Sequence, residues 1–251
     1  MLEVTVRIYG PLNDFLTPAR RQVTGRIVLK RRAAVKDVVE AIGVPHPEID
    51  LVLVDGSPVR FDYVVRSGDR IAVFPRFVSL DIDALSRVRV TPPEPIRFVA
   101  DVHLGALARR LRLAGFDTAY RNDAGDADLA QISAREQRVL LTRDQALLKR
   151  SIVAHGCFLR ATRPHDQLVE VLRRFGPLPI RPFSRCTRCN GVLRDVPKAE
   201  VDAALLPRTR AYYDRFRRCA ACGRVYWQGS HWRRLTRALE AARADAEGTG
   251  G

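Results

Sequence analysis

Phe98-Val99-Ala100-Asp101 and Val139-Leu140-Leu141-Thr142-Arg143-Asp144 are two apolar runs that each close on an aspartate. A short buried strand that delivers a carboxylate at its C-terminal end is how open α/β sheets place chemistry outside the sheet edge. Asp126 and Asp128 lie between the two runs, so several carboxylates are expected to meet at one point. Carboxylates gathered in that way either bind a hard cation or repel one another.

The residues around these runs alternate between helix and strand patterns. After Asp101, the residues Leu104, Leu107, Ala108 and Leu111 share one helical face, with Arg109, Arg110 and Arg112 away from it and Gly115 as the stop. Residues 115–120 read as a strand, and 126–136 as a helix whose first turn holds Asp126 and Asp128. Acid there also complements the helix dipole, so capping remains the alternative use of those two residues. A helix over 145–150, a strand over 157–160 and a helix over 166–175 complete an alternation that predicts a parallel sheet.

Residues 1–80 follow a different plan. Strand patterns at 4–8, 25–29, 51–54 and 70–74 surround a helix in which Val35, Val38, Val39 and Ile42 share a face and Gly43 is the stop. Asp55-Gly56 and Ser67-Gly68-Asp69 are turn signals. The order β-β-α-β-β is that of a β-grasp domain. The segment resembles the ubiquitin-like sulfur carriers of thiamine and molybdopterin synthesis, through Val54-Asp55-Gly56, Asp62-Tyr63 and the run from Gly68 to Pro75. Those carriers end in a free Gly-Gly, whereas this strand runs on into Phe74-Pro75-Arg76-Phe77, so sulfur transfer by the domain is not expected. Gly250-Gly251 follows Glu247-Gly248-Thr249 on an expected flexible tail, where glycine is common.

From residue 97 on, the order of acids and elements resembles a PIN-type nuclease, and more closely the Mut-seven C-terminal RNase family. Asp101, Leu104-Gly105, Leu107-Ala108-Arg109, Leu111-Arg112 and Gly115-Phe116-Asp117-Thr118 match its opening, and the run from Arg138 to Asp144 matches its central motif. The resemblance covers about residues 97–240, and many members of that family carry a β-grasp domain in front. It implies metal-dependent cleavage of RNA phosphodiesters, with Asp101 and Asp144 as direct or water-mediated ligands to Mg²⁺ or Mn²⁺ and Asp128 or Asp126 completing the set. Such nucleases often have another acid on a helix after the first strand, but residues 102–116 contain no Asp or Glu. Asp117, Asp123 and Glu136 are lesser candidates.

Cys186-Thr187-Arg188-Cys189 and Cys219-Ala220-Ala221-Cys222 form two Cys-x-x-Cys knuckles, each followed closely by a glycine. In a reducing compartment that pattern reads as one tetrahedral Zn²⁺ held by four thiolates, a structural site with no position open to substrate. The spacer between the knuckles is expected to hold a helix-like insert, over Pro197–Leu206 and Ala211–Phe216. Family resemblance continues through Arg185 to Gly191 and from Tyr226-Trp227 to Gly229-Ser230-His231-Trp232. Basic residues with interleaved aromatics suit RNA, and Arg143, Arg188, Arg217, Arg218, Trp227 and His231 are the expected contacts. Packing of the small domain is the competing use of Trp227, and Cys157 reads as a core residue.

The formal charge of +15 is uneven, rising from +2 over residues 1–96 to +5 over 97–180 and +8 over 181–251. This gradient favours a polyanionic partner, with RNA or DNA first. Of the 43 basic residues, 39 are Arg, so an arginine-rich coding composition would produce the same excess. Neither a signal peptide nor a membrane span is visible, and a cytoplasmic protein is expected. The expected layout is an α+β β-grasp domain over 1–80, a linker over 81–96 and an α/β PIN-like domain over 97–180. A zinc ribbon over 181–240 and a flexible tail over 241–251 follow. The expected function is ribonuclease, with a protein partner possible through the β-grasp domain. The alternative is a non-catalytic RNA- or ribosome-binding protein with a degenerate nuclease site.

Overall fold

Buried and half-buried residues alternate along Val4-Thr5-Val6-Arg7-Ile8, which makes this segment a strand with one dry face. In the computed structural model, which describes residues 1–77, 80–176 and 178–248, it belongs to β1 (Leu2–Ile8). There follow β2 (Gly25–Leu29), α1 (Val35–Ala41), β3 (Ile49–Val54), β4 (Ser57–Pro58), β5 (Arg70–Pro75), β6 (Phe98–Ala100), α2 (Gly105–Leu113) and β7 (Thr118–Ala119). Next come α3 (Asp126–Glu136), β8 (Val139–Thr142), α4 (Gln145–Leu148), β9 (Gly156–Phe158) and α5 (Pro164–Phe175). The chain finishes with β10 (Leu193–Val196), α6 (Pro207–Tyr212), β11 (Phe216–Cys219), β12 (Val225–Trp227) and α7 (Ser230–Glu247). Met1–Pro93 and Asp126–Phe158 make one compact unit; Glu94–Gly125 and the chain from Leu159 make another.

In the first unit the sheet order is β2-β1-β5-β3-β4. Central β1 and β5 run parallel, and the outer pairings are antiparallel, which is the β-grasp arrangement expected from the strand order. Val4, Val6, Val38, Val39, Val52 and Val73 fill its core. Ile82 and Val88, in the stretch expected as linker, are buried instead, and Ser86 Oγ donates to Asp50 O at 2.5 Å. Two apolar side chains with a dry face available do not stay in solvent. The α3–β9 segment is fastened to the β-grasp residues. His46 Nε2 meets Val153 O at 2.9 Å, Phe158 N donates to Glu48 Oε1 at 2.8 Å, and the Phe15 and Phe158 rings pack edge to face. Parallel pairing of β8 with β9 aligns Leu141 with Cys157, whose side chain is buried as expected.

In the second unit β6 pairs parallel with β7, and Phe98 packs edge to face against both Phe116 and Phe175. Helix α5 packs against α2 and α7. Residues 241–247, expected in a tail, are helical because α7 continues along α5: Ala242 is buried and Arg173 Nη2 donates to Asp245 O at 2.6 Å. Gly250 and Gly251 lie outside the described residues. The β10-β11-β12 sheet is antiparallel. The insert between the knuckles is less helical than its sequence suggests, with two 3₁₀ turns (Lys198–Glu200 and Asp202–Ala204) and α6, while Phe216 opens β11. Its residues Val201 and Leu205 bury against Phe216, and that packing satisfies the apolar periodicity without a long helix.

Helix α2 stops at Gly115, whose φ of +98° places it in the left-handed region, and a Cβ there would lie 2.3 Å from Arg181 O. Gly115→Ala is therefore expected to destabilise the protein by about 1–3 kcal/mol. A lower urea midpoint with an unchanged slope would show this; an unchanged midpoint would contradict it.

Candidate functional site

Asp101 directly follows β6, is buried, and its carbonyl accepts the Leu104 amide at 2.8 Å as the chain turns into α2. Asp126 and Asp128 stand exposed on the first turn of α3. Asp144 caps α4: its Oδ1 accepts the amides of Ala146 at 2.7 Å and Leu147 at 3.4 Å. The amide of Asp144 itself donates to the buried Thr142 Oγ1 at 2.9 Å, so Thr142 holds the turn. Exposed Arg143 sits between them. The lesser acidic candidates all meet arginine. Asp117 pairs with Arg185 at 3.3 Å, Asp123 with Arg121 at 3.0 Å and Glu136 with Arg138 at 2.8 Å. The hydrogen bond from Arg121 lowers the pKa of Asp123, and that from Arg138 lowers the pKa of Glu136 against its partial burial.

The four knuckle cysteines converge, with all their sulfurs within 4.8 Å of one another. Cys186 Sγ lies 3.7 Å from Cys222 Sγ, and Cys189 Sγ 3.4 Å from Cys219 Sγ. A disulfide needs about 2.05 Å, which excludes that pairing here. A tetrahedron with metal–sulfur bonds of about 2.3 Å has edges of about 3.8 Å, so the set fits a tetrahedral thiophilic ion. Gly191 keeps the centre open, since a Cβ there would meet Cys219 Sγ at 2.8 Å. Burial pushes the Cys186 thiol up, but the Tyr226 hydroxyl at 3.0 Å and the amides of Cys189 and Arg188 outweigh it and bring the pKa to about 6. Burial, followed by its bond to Cys186, pushes Tyr226 up to about 12, and burial raises Cys189 to about 12.

The first knuckle is bound to the α2–β7 turn. Arg112, on α2, is 3% exposed; it donates from Nε to Thr118 O at 2.9 Å and from Nη1 to Arg188 O at 2.8 Å and Thr187 O at 3.3 Å. Asn190, with φ +69°, accepts the Thr118 amide at 3.0 Å and donates to Asp117 Oδ1 at 2.8 Å. Arg181 N donates to Ala114 O at 2.8 Å. Burial lowers the pKa of Arg112, opposed by the thiolates of Cys186 and Cys189 and then by Asp117.

The expected RNA contacts fall into different settings. Arg188 is exposed between the first two cysteines. Arg218 pairs with Glu200 at 3.2 Å and lies across the sheet from exposed Arg194. Arg217 is tied to Asp195 at 2.8 Å and lies over the Phe183 ring. Trp227 is half-buried against Val201, Leu205 and Phe216. The side chain of His231 lies outside the described residues.

Residues 96–239 match the Mut7-C RNAse domain model, and residues 1–81 match the Mut7-C ubiquitin model. The chain belongs to the Mut7-C RNAse family. No curated protein and no solved structure matches it. Two motifs that carried the resemblance to Mut7-C proteins turn out to touch each other in this chain: Arg112 to Thr118 on one side, Arg185 to Gly191 on the other. Tyr226 and Arg112 were not among the expected site residues. Tyr226 stood beside the Trp227 candidate, and a polar-tipped aromatic opposite a knuckle was the available signal; Arg112 lay within the motif that carried the resemblance, but nothing local marked it as buried.

Metal binding requires thiolates, so a cysteine at about 12 must lose a proton on binding while one at about 6 has largely lost its own above that pH. Zn²⁺ affinity of the full chain is accordingly expected to rise from pH 6 to pH 8, and Tyr226→Phe to weaken it by about tenfold. Chelator competition reads both effects. An affinity that is flat with pH and unchanged in the variant would contradict this account.

Proposed function

We propose that this protein is a metal-dependent ribonuclease that hydrolyses RNA phosphodiester bonds, with its four-cysteine centre holding a structural Zn²⁺ and the surrounding basic residues assisting RNA docking. The match of residues 96–239 to the Mut7-C RNAse domain carries this reading. The proposed ligands of a catalytic Mg²⁺ or Mn²⁺ are Asp101, Asp128 and Asp144, with Asp126 as a further carboxylate. Carboxylate oxygens supplemented by water are the donor set those ions prefer. Such an ion, when bound, supplies Lewis acidity and an activated water for attack on phosphorus.

The chain's residues would orient the parts. Thr142 accepts the Asp144 backbone amide and holds the turn, while the amides of Ala146 and Leu147 fix the carboxylate through Oδ1 and leave Oδ2 for a cation. Arg143 extends into solvent next to that ligand, where a phosphate would be met. Arg188 and Arg218, with Arg217, Trp227 and His231, are the proposed docking residues, and the β-grasp domain is the proposed site for any protein partner. With four thiolates around it, the zinc has no position for a reacting water, which makes its role structural.

The acid-free stretch 102–116 favours a second reading, a non-catalytic RNA- or ribosome-binding protein. Cleavage of structured and unstructured RNA with Mn²⁺ or Mg²⁺ separates the two. An Asp101→Asn, Asp144→Asn double variant is expected to lose about 100-fold or more in rate, since a metal supplies several kcal/mol at the transition state. Wild-type cleavage no faster than the variant's, with salt-sensitive RNA binding retained, would favour the binding protein instead.

A further inference from the structure

Arg112 poses a charge problem. Its guanidinium is buried, all its hydrogen bonds go to backbone carbonyls, and it forms no ion pair with a carboxylate among the described residues. The neighbouring acid, Asp117, is taken by Arg185 and Asn190. A buried cation with neutral partners alone is strongly unfavourable, so a compensating anion is required nearby.

The two knuckle carbonyls that Arg112 grips identify that anion. Thr187 C=O and Arg188 C=O belong to the peptide units whose amides, those of Arg188 and Cys189, point at Cys186 Sγ, the second at 3.4 Å. Each unit therefore links a guanidinium N–H to a thiolate through one polarised peptide. Hydrogen bonds in such a chain strengthen one another. A divalent ion with four thiolates carries a net charge of −2, and the chain delivers positive charge to it from the buried side.

We propose that Arg112 is a positioning residue for the four-thiolate centre, the internal counter-cation that fastens the first knuckle to α2, the helix that follows Asp101. The inference rests on reading the four cysteines as a zinc site. It is independent of RNA cleavage. It makes the ribbon a structural part of the Asp101-bearing half of the nuclease domain as well as a candidate docking surface.

The test uses the full chain and Zn²⁺ alone. Chelator competition on Arg112→Gln is expected to show zinc bound about tenfold or more weakly, the loss typical when a partner of a metal ligand is removed. Arg112→Lys, which keeps the charge but not the planar fork, is expected to fall between Arg112→Gln and wild type. Arg109→Gln, which removes an exposed charge from the same helix, should bind zinc within twofold of wild type. In the Co²⁺-substituted protein, the sulfur-to-metal charge-transfer band is expected to move in Arg112→Gln and not in Arg109→Gln. Zinc affinity of Arg112→Gln within twofold of wild type overturns the proposal.

If Arg112→Gln does not fold, hydrogen exchange on the wild-type protein decides. Removing zinc is expected to expose the amides of Thr118 and Arg181, which bridge the knuckle and the α2–β7 turn. Unchanged exchange at both overturns the link. Because no readout involves RNA, failure here leaves the ribonuclease reading standing, and an inactive nuclease leaves this one standing.

Discussion

A parallel strand buried on both faces cannot carry a charge until it leaves the sheet, and that constraint disposes the acids of this protein. Phe98, Val99 and Ala100 are buried throughout β6, as are the four residues of β8. The first carboxylate available after β6 is Asp101, and after β8 it is Asp144. Apolar burial, at about 25 cal/mol per Å², holds each strand in place, and the carboxylate follows at the first position past the buried run. The Asp144 carboxylate is also held by backbone amides. For Asp144 those amides are the opening of α4, so the fold, rather than a partner side chain, orients the proposed ligand.

The same economy governs the cysteine centre. Its sulfurs come from two turns far apart in the chain, and the first turn is welded to the end of α2 by a buried arginine, an asparagine and a glycine that admits no side chain. The ribbon is thus built onto the α/β core rather than appended to it. In the other unit, His46 and Glu48 of the β-grasp domain bond the backbone of the segment that carries Asp144. Both accessory elements reach the stretches of chain from which the proposed catalytic acids come.

Features written locally were legible in the sequence. The aspartate-tipped strands, the paired Cys-x-x-Cys knuckles and the β-β-α-β-β order depend on periodicity and spacing within short windows. What depended on distant partners was not legible. The burial of Ile82 and Val88 needed the β-grasp face, the extension of α7 needed α5, and the shortening of the expected helices in the insert needed Phe216 to pack against. Arg112 looked like an ordinary exposed helix residue, because a charge off the apolar face is normally solvated. Its burial comes from a knuckle that begins more than seventy residues later. Tyr226 was visible as an aromatic, but its hydroxyl bond to Cys186 is a tertiary fact.

Catalysis by a carboxylate-bound metal is the claim on which the functional account stands, and direct detection of that metal tests it without assuming a substrate. Mn²⁺ titrated into the zinc-loaded full chain and followed by electron paramagnetic resonance should show a bound population that Asp101→Asn and Asp144→Asn each remove while the zinc content stays the same. Absence of bound Mn²⁺ in the wild-type protein, or binding that persists in both variants, would contradict the account.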